Sequence, residues 1–398
     1  MSTESDLRLP GEPVPFFQPI VSVSDGRIYG YEVLGRALTE QGPVSLGPFF
    51  HGGGASHEER LRVDRCIRRA ALEKKKREGS SARLFLNIHP AWIYTRGDKA
   101  FPTIQMVSEL GLNSEEIVVE ITEENLLSAE FSDVMRLIGR YREAGVRVAI
   151  DDFSYPNFDR LIAARPAIVK LDMQLVKKAA RNLEYRRLTD YISRFAQELG
   201  VAVLFEGVED VVELESGLEA GASLMQGFYF APAGPDFLPP DHFQDDIRLA
   251  LSNVYYRSVS HLSGVVRLER QLNRYMRLLT EEPGGASDDL DTVLARLHDQ
   301  LPSTCFRLFV CDETGRQLSA NLTRVSGTFE RQEHFRGNNW SWRPYFLDNL
   351  IRMREYDQGV VSHPYIDHET RHRTITFSYP LRQDRFLFMD FLAGSDAE

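Results

Sequence analysis

The chain is poor in cysteine, in positive charge and in long apolar runs, and each shortage excludes something. Its three cysteines, Cys66, Cys305 and Cys311, show no CxxC spacing and cannot all pair. They read as reduced thiols, which argues against a disulfide scaffold and for a cytoplasmic protein. Lysine and arginine total 47 against 58 aspartates and glutamates, a formal net charge of −11. A nucleic-acid backbone calls for a basic surplus, so nucleic acid is excluded as the main partner. A small anion fits this balance only where a metal neutralises the local acids. No apolar run approaches the ~20 residues that span a bilayer, so no membrane span is expected. Met1–Pro10 has neither a basic region nor an apolar core, so no signal peptide is expected either. What is present is an ordinary globular composition, 42% hydrophobic and 26% charged, in enough length for two domains.

The polar residues that stand out do so by position. Asn87 ends Leu84-Phe85-Leu86, Glu120 closes Ile117-Val118-Val119, Asp151 and Asp152 close Val146–Ile150, Lys170 ends Ala167-Ile168-Val169, and Glu206 closes Val201–Phe205. Short apolar runs bounded by turns read as buried strands. Further runs lie at Phe16–Val23, Ile28–Leu34 and Leu224–Phe230, and helical stretches such as Phe131–Ala144 and Leu183–Leu199 lie between, ending in Gly145 and Gly200. Alternating strands and helices predict a parallel sheet whose strands deliver their C-terminal ends to one side. The fold class expected is α/β, a TIM-type (β/α)8-like barrel with its site at that mouth. The glycine fingerprint of an open dinucleotide-binding sheet is absent.

Three segments are expected: a barrel domain over 1–240, a helical linker over 241–285 and an α+β domain over 286–398. In the linker Val265, Leu268, Leu272, Tyr275 and Leu279 form a short heptad seam, read as a helix packed on a domain, with a dimer contact as the alternative. Beyond Pro283-Gly284-Gly285, strands are expected at Cys305–Cys311, Gln317–Leu322, Val360–Tyr365, Thr374–Pro380 and Arg385–Phe391, the last closing the sheet, with a helix around Trp342–Met353. Lys74-Lys75-Lys76-Arg77 reads as a solvated helix end. His363, His368 and His372 read as hairpin surface, and Trp340, Trp342 and Tyr345 as core, with a small-anion pocket around Arg343 as the competing reading.

Five carboxylates, Glu32, Glu120, Asp151, Asp152 and Glu206, are expected in one cleft. Two such charges ~4 Å apart repel by about 4 kcal/mol at an effective dielectric of about 20, so the cluster calls for cations. All-oxygen ligands suit Mg²⁺, Mn²⁺ or Ca²⁺. Two such metals clamp the attacking and leaving oxygens of a phosphoryl displacement.

The ordered motifs Phe17-Gln18-Pro19-Ile20, Glu32-Val33-Leu34-Gly35-Arg36, Asn87-Ile88-His89-Pro90, Glu120-Ile121-Thr122-Glu123, Asp151-Asp152-Phe153, Val169-Lys170-Leu171-Asp172, Glu206-Gly207-Val208-Glu209 and Met225-Gln226-Gly227-Phe228 resemble the EAL domain over about residues 15–235. With the second domain, the chain resembles the YkuI-type proteins, an EAL domain followed by a PAS-like domain, and Asn339–Phe346 is similar to the aromatic-arginine segment of Cache/PAS-like sensors. The resemblance implies metal-dependent binding and hydrolysis of cyclic di-GMP to the linear dinucleotide pGpG. It implies Glu32, Asn87, Glu120 and Asp151 at one metal, and Asp151 and Asp152 at a second with Glu206 nearby. Lys170 and Gln226 would attend the attacking water, and Glu123 would brace the loop after Phe153. Gln18, Leu34, Arg36 and Asp172 would serve the dinucleotide, Arg36 through a phosphate. Mg²⁺ or Mn²⁺ is the expected cofactor, with Ca²⁺ binding without turnover. A homodimer is expected, and a small ligand or protein for the second domain. Two departures stand out: Val33 replaces the usual alanine, and Ser154-Tyr155-Pro156-Asn157 replaces a glycine-containing loop. The second favours an alternative, a receptor that binds the dinucleotide with little or no turnover.

Overall fold

The computed structural model describes residues 9–52, 54–88, 101–124, 131–154, 158–281, 289–297, 301–382 and 384–393. The chain divides into two compact units, Met1–Tyr256 and Arg257–Glu398, and the division falls inside one helix, Gln244–Glu281.

The first unit is a closed eight-stranded barrel. Its strands are β1 (Glu12–Ser22), β2 (Ile28–Thr39), β4 (Arg83–Asn87), β5 (Ile117–Thr122), β6 (Arg147–Phe153), β7 (Ile168–Leu171), β8 (Ala202–Phe205) and β9 (Leu224–Gln226); β3 (Gly42–Ser45) extends the edge beside β2. From β2 round to β9 every neighbouring pair is parallel. β1 is the exception: it runs antiparallel to both β2 and β9 and closes the ring between them. The all-parallel expectation is corrected there. The short Asp25-Gly26 turn, with Gly26 at φ 68°, returns β1 directly into β2, and so short a link permits only an antiparallel pair.

Alternation along the strands builds the barrel interior in layers. Ile20, Phe85, Val118, Ala149, Ile168, Leu204 and Leu224 form one apolar cluster, the floor. Two residues along each strand, on the same face, stand Gln18, Asn87, Glu120, Asp151, Lys170, Glu206 and Gln226. Gly30 lies in the floor on β2, where a Cβ would press to 2.7 Å from the Arg83 carbonyl, and Glu32 follows it into the polar layer. A larger apolar core fills the space between the strands' outer faces and the surrounding helices.

The helix His57–Glu78 shows how local sequence fixes the scaffold. Ser56 and Glu59 form a reciprocal capping box at its start, and Gly79, left-handed at φ 61°, ends it. Lys75 corrects the expectation of a solvated basic end. It is 1% exposed, and its ammonium binds the carbonyls of Ser80 (2.6 Å) and Ala82 (2.7 Å) and the carboxylate of Glu116 (2.8 Å).

The second unit is an antiparallel sheet of seven strands. Its main path runs β12 (Thr328–Gln332), β11 (Asn321–Val325), β10 (Cys305–Asp312), β16 (Arg385–Leu392), β15 (Arg373–Arg382), β13 (Val360–Val361), with β14 (Tyr365–Ile366) also on β15. Alternate residues serve two cores. Leu308, Val310, Leu387 and Met389 pack with Leu272, Met276, Val293 and Leu294 from helices. Phe309, Cys311, Phe386 and Phe388 pack with Trp340, Tyr345, Phe346 and Leu350. The apolar seam of the linker helix packs in the first of these cores, with Val265, Leu268, Tyr275 and Leu279 partly buried there. Four expectations change. The strand drawn at Val360–Tyr365 is two short ones, β13 and β14. The strand drawn at Gln317–Leu322 starts at Asn321, after a single bridge at Gln317. The last strand lies in the middle of the sheet, between β10 and β15, because its residues are apolar on both faces. Trp342 is 57% exposed, unlike Trp340 and Tyr345, which are core. The three histidines are on the hairpin surface as expected.

Candidate functional site

The polar layer of the barrel converges on Lys170. Its ammonium, completely buried, lies 2.6 Å from Glu120, 2.7 Å from Glu206, 2.9 Å from Asp151 and 3.8 Å from Glu32. Amides hold Glu32 from either side: Gln226 Nε2 donates to Oε2 at 2.7 Å and Asn87 Nδ2 to Oε1 at 3.1 Å. Five strands thus supply a lysine and four carboxylates to one point, and two further strands supply the amides.

Asp152 joins them by an irregularity. Successive strand residues point to opposite faces, so Asp151 and Asp152 should diverge. The pairing of β6 with β7 shifts register after Ile150, and Asp152 adopts φ 56°. Its N–H donates to Asp151 Oδ1 at 2.9 Å. A bulge of this kind re-aims side chains beside functional sites. The result is two groups whose oxygens lie within 4.8 Å of one another: Glu32, Glu120 and Asp151, and Asp151, Asp152 and Glu206. Asp151 is common to both.

The electrostatics are those of a crowded, dry cluster. Burial drives the Glu120 carboxyl well above its ordinary range, the Lys170 charge opposes this, and Glu32 and Asp151 add to it. Glu206 is pushed well up for the same reasons, burial first. Asp152 rises more modestly, through burial and then Asp151. Burial alone would lower Lys170, but the surrounding carboxylates outweigh it and hold the group firmly as an ammonium. Both Glu120 oxygens, Gln226 Oε1 and Lys170 Nζ are buried without a hydrogen bond of normal geometry, although the ion-pair distances are short. One lysine cannot neutralise five carboxylates. Carboxylate oxygens gathered in two groups of three that share Asp151 are what divalent cations fit, with all-oxygen donors suited to Mg²⁺, Mn²⁺ or Ca²⁺.

The remaining sequence-named residues are spread around this point. Glu123 Oε2 accepts the N–H of Ser154 at 3.1 Å, bracing the chain just after β6. Gln18, opposite Glu32 in the β1–β2 register, donates weakly to the Ala231 carbonyl at 3.4 Å. Leu34 and Arg36 lie farther along β2, the Arg36 guanidinium 5.9 Å from the Phe16 ring centroid. Asp172 caps the helix Met173–Arg181, accepting the N–H groups of Gln174 and Leu175. His89, Pro90 and the loop residues Tyr155, Pro156 and Asn157 lie outside the described residues. Gly227 has a steric reason: a Cβ there would stand 2.0 Å from the Val208 carbonyl oxygen, so only glycine lets the end of β9 pass the loop after Glu206.

A second polar cluster lies in the other unit; sequence reasoning named its Arg343, in the small-anion reading, and missed its other members. Arg307 and Asp390 are register partners on β10 and β16, joined at 2.7 Å, with Asp367 beside them. The signal was one charge in the interior of each of two apolar strands, of opposite sign.

Among the described residues no helix is long and apolar enough to cross a membrane. A family model described as the EAL domain matches residues 7–233, and one described as an EAL-domain associated signalling protein domain matches residues 237–393. YkuI of Bacillus subtilis, an uncharacterized EAL-domain containing protein, is 30% identical over 382 residues, covering 95% of this chain and 93% of that one. Its solved structure, in complex with substrate c-di-GMP and calcium, matches with a TM-score of 0.86 over 96% of each chain. The cyclic di-GMP phosphodiesterase RocR of Pseudomonas aeruginosa is 29% identical over 243 residues, covering 59% of this chain and 60% of that one. Klebsiella pneumoniae BlrP1, solved with manganese and cyclic di-GMP, matches at 25% identity and a TM-score of 0.50 over 58% of each chain. The chain belongs to the family of EAL-domain proteins, with the EAL-associated signalling domain following its barrel.

Proposed function

We propose that the barrel mouth binds cyclic di-GMP with two divalent cations, Mg²⁺ or Mn²⁺, and hydrolyses one phosphodiester to linear pGpG. The observation that carries this is the pair of overlapping carboxylate groups sharing Asp151, buried around a single ammonium. Glu32, Asn87, Glu120 and Asp151 would hold one cation, and Asp151 and Asp152 the other, with Glu206 beside them. The cations supply Lewis acidity and an activated hydroxide when bound. The chain's own groups do the rest. Lys170, buried among these carboxylates, stabilises negative charge developing on the phosphate and orients the attacking water. Gln226, fixed through Glu32, offers its free Oε1 as an acceptor to that water or to a metal. Arg36 offers a planar fork to a phosphate, and Gln18, Leu34 and Asp172 line the approach.

The second reading is a receptor, binding the same dinucleotide without turnover. The sequence Ser154-Tyr155-Pro156-Asn157 favours it, since proline fixes φ where a glycine loop would be free. One experiment separates the two: cyclic di-GMP with purified protein and Mn²⁺ or Mg²⁺, products resolved by chromatography, and calorimetric titration in Ca²⁺. Linear pGpG, absent with Glu32→Ala, supports the enzyme. Binding in Ca²⁺ with no product in Mn²⁺ selects the receptor, and no binding in any metal overturns both.

A further inference from the structure

The second unit buries charges where its core should be apolar. Arg307, Arg343, Asp367 and Asp390 are each at most 4% exposed. Arg307 meets both aspartates at 2.6 Å, and Arg343 meets Asp367 at 2.6 Å. The four charges cancel. Ions removed from water carry a large desolvation cost, and apolar side chains of similar volume often serve stability as well or better. Stability therefore gives a weak account of this cluster.

Arg343 Nε in it is buried and lacks an acceptor, and the buried Tyr345 hydroxyl has only a shared one in Thr376. Thr376 is already engaged, donating to Asp390 at 2.6 Å and meeting the Tyr365 hydroxyl at 2.9 Å. A buried donor without an acceptor carries the full cost of its lost hydration. These two groups, within one arginine cluster, mark a place for an acceptor brought from outside.

A fifth charge shows what that acceptor is. Glu369 sits in the turn between β14 and β15, and its side chain is 34% exposed. It pairs with Arg307 and stands 3.9 Å from Arg343. It is the one carboxylate of the cluster that can turn out to water without breaking the neutral set of four. Trp342, exposed and 5.5 Å from the His368 ring, lies over the same arginine, its centroid 5.7 Å from the Arg343 guanidinium.

We propose that this cluster is the binding site of a small carboxylate, for which Glu369 is the chain's own stand-in. The ligand's carboxylate replaces that of Glu369 on Arg307 and Arg343, takes the idle Nε–H of Arg343 and the hydroxyl of Tyr345, and leaves the charge of the cluster unchanged. The arginine forks suit two carboxylate oxygens, and the neighbouring Trp342 ring reports occupancy.

The test uses the full chain, titrated with acetate, malate or alanine against a chloride control of equal ionic strength. Tryptophan emission and melting temperature are read together. The three probes separate a simple carboxylate, a dicarboxylate and an amino acid. A saturable response to at least one is expected. Tyr345→Phe and Arg343→Lys should weaken it at least tenfold, and Glu369→Gln should tighten it severalfold by removing the competitor. Trp342→Phe should reduce the optical response and keep the thermal one. No saturable response in either the wild type or Glu369→Gln overturns the proposal, as does binding that Tyr345→Phe leaves unchanged.

Discussion

Asp151 and Asp152 are adjacent in a strand, yet the bulge after Ile150 and the left-handed Asp152 bring both carboxylates to Glu206. Asn keeps the size of Asp and tolerates the same backbone, so Asp152→Asn isolates the charge. It should weaken divalent-metal binding by at least about 10–100-fold, the range seen even for outer-shell partners. The fold should be unchanged. Calorimetric titration with Mn²⁺ checks this, and unaltered affinity would remove Asp152 from the metal site.

Lys170 is the positive centre that makes the metal-free cluster tolerable. Removing one partner of a buried ionic set costs about 3–5 kcal/mol, because the others stay buried without it. Lys170→Met should destabilise the metal-free protein by that order near pH 8, read as a fall in the urea midpoint. Mn²⁺ should restore part of the loss, since cations then carry the balance. A metal-independent loss would make Lys170 a packing element only.

The raised carboxyls of Glu120 and Glu206 fix a sign for pH. Between the unfolded carboxylate range and these raised values, the folded state holds more protons than the unfolded one. Stability of the metal-free barrel therefore falls as pH rises through that window. Metal needs the deprotonated oxygens, so its stabilisation grows with pH in the same window. A ligand at about 100 times its Kd adds about 2.7 kcal/mol. The melting shift given by a fixed Mn²⁺ concentration should be larger at pH 8 than at pH 6. Equal shifts would mean that these carboxyls do not compete with the metal.

Much of this site was legible because a parallel strand advertises its C-terminal end. Glu120, Lys170 and Glu206 are polar residues closing short apolar runs, and their convergence follows from topology alone. The direction of β1 was not legible, since an antiparallel strand closing the ring has the same apolar pattern as a parallel one. The bulge was not legible either: Asp-Asp in a strand reads as one inward and one outward residue until the register is known. Lys75 looked solvated because two of its partners are the backbone carbonyls of Ser80 and Ala82, which carry no sequence signal, and the third, Glu116, is 41 residues away in the chain. In the second unit, the seam of the linker helix read correctly as apolar packing. The polar residue that pins it went unremarked.

That residue is Asn273, 8% exposed, which pairs with both backbone groups of Gly359: Nδ2 donates to the carbonyl and Oδ1 accepts the N–H, each at 2.7 Å. Glu269, one turn earlier, accepts the N–H of Val361 at 2.8 Å. The helix therefore holds this edge through hydrogen bonds from its side chains to main-chain groups of Gly359 and Val361. Gly359 admits no side chain, because a Cβ would stand 2.3 Å from the Phe377 ring. Asn273→Leu keeps the apolar seam and leaves two buried backbone groups unpaired, at about 1–3 kcal/mol each. Unfolding should shift by that order, and the Gly359 amide should lose protection from hydrogen exchange. Asn273→Asp keeps the acceptor, so that amide should stay protected while the carbonyl loses its donor. If Gly359 exchanges no faster in Asn273→Leu, the helix is held by its apolar seam alone.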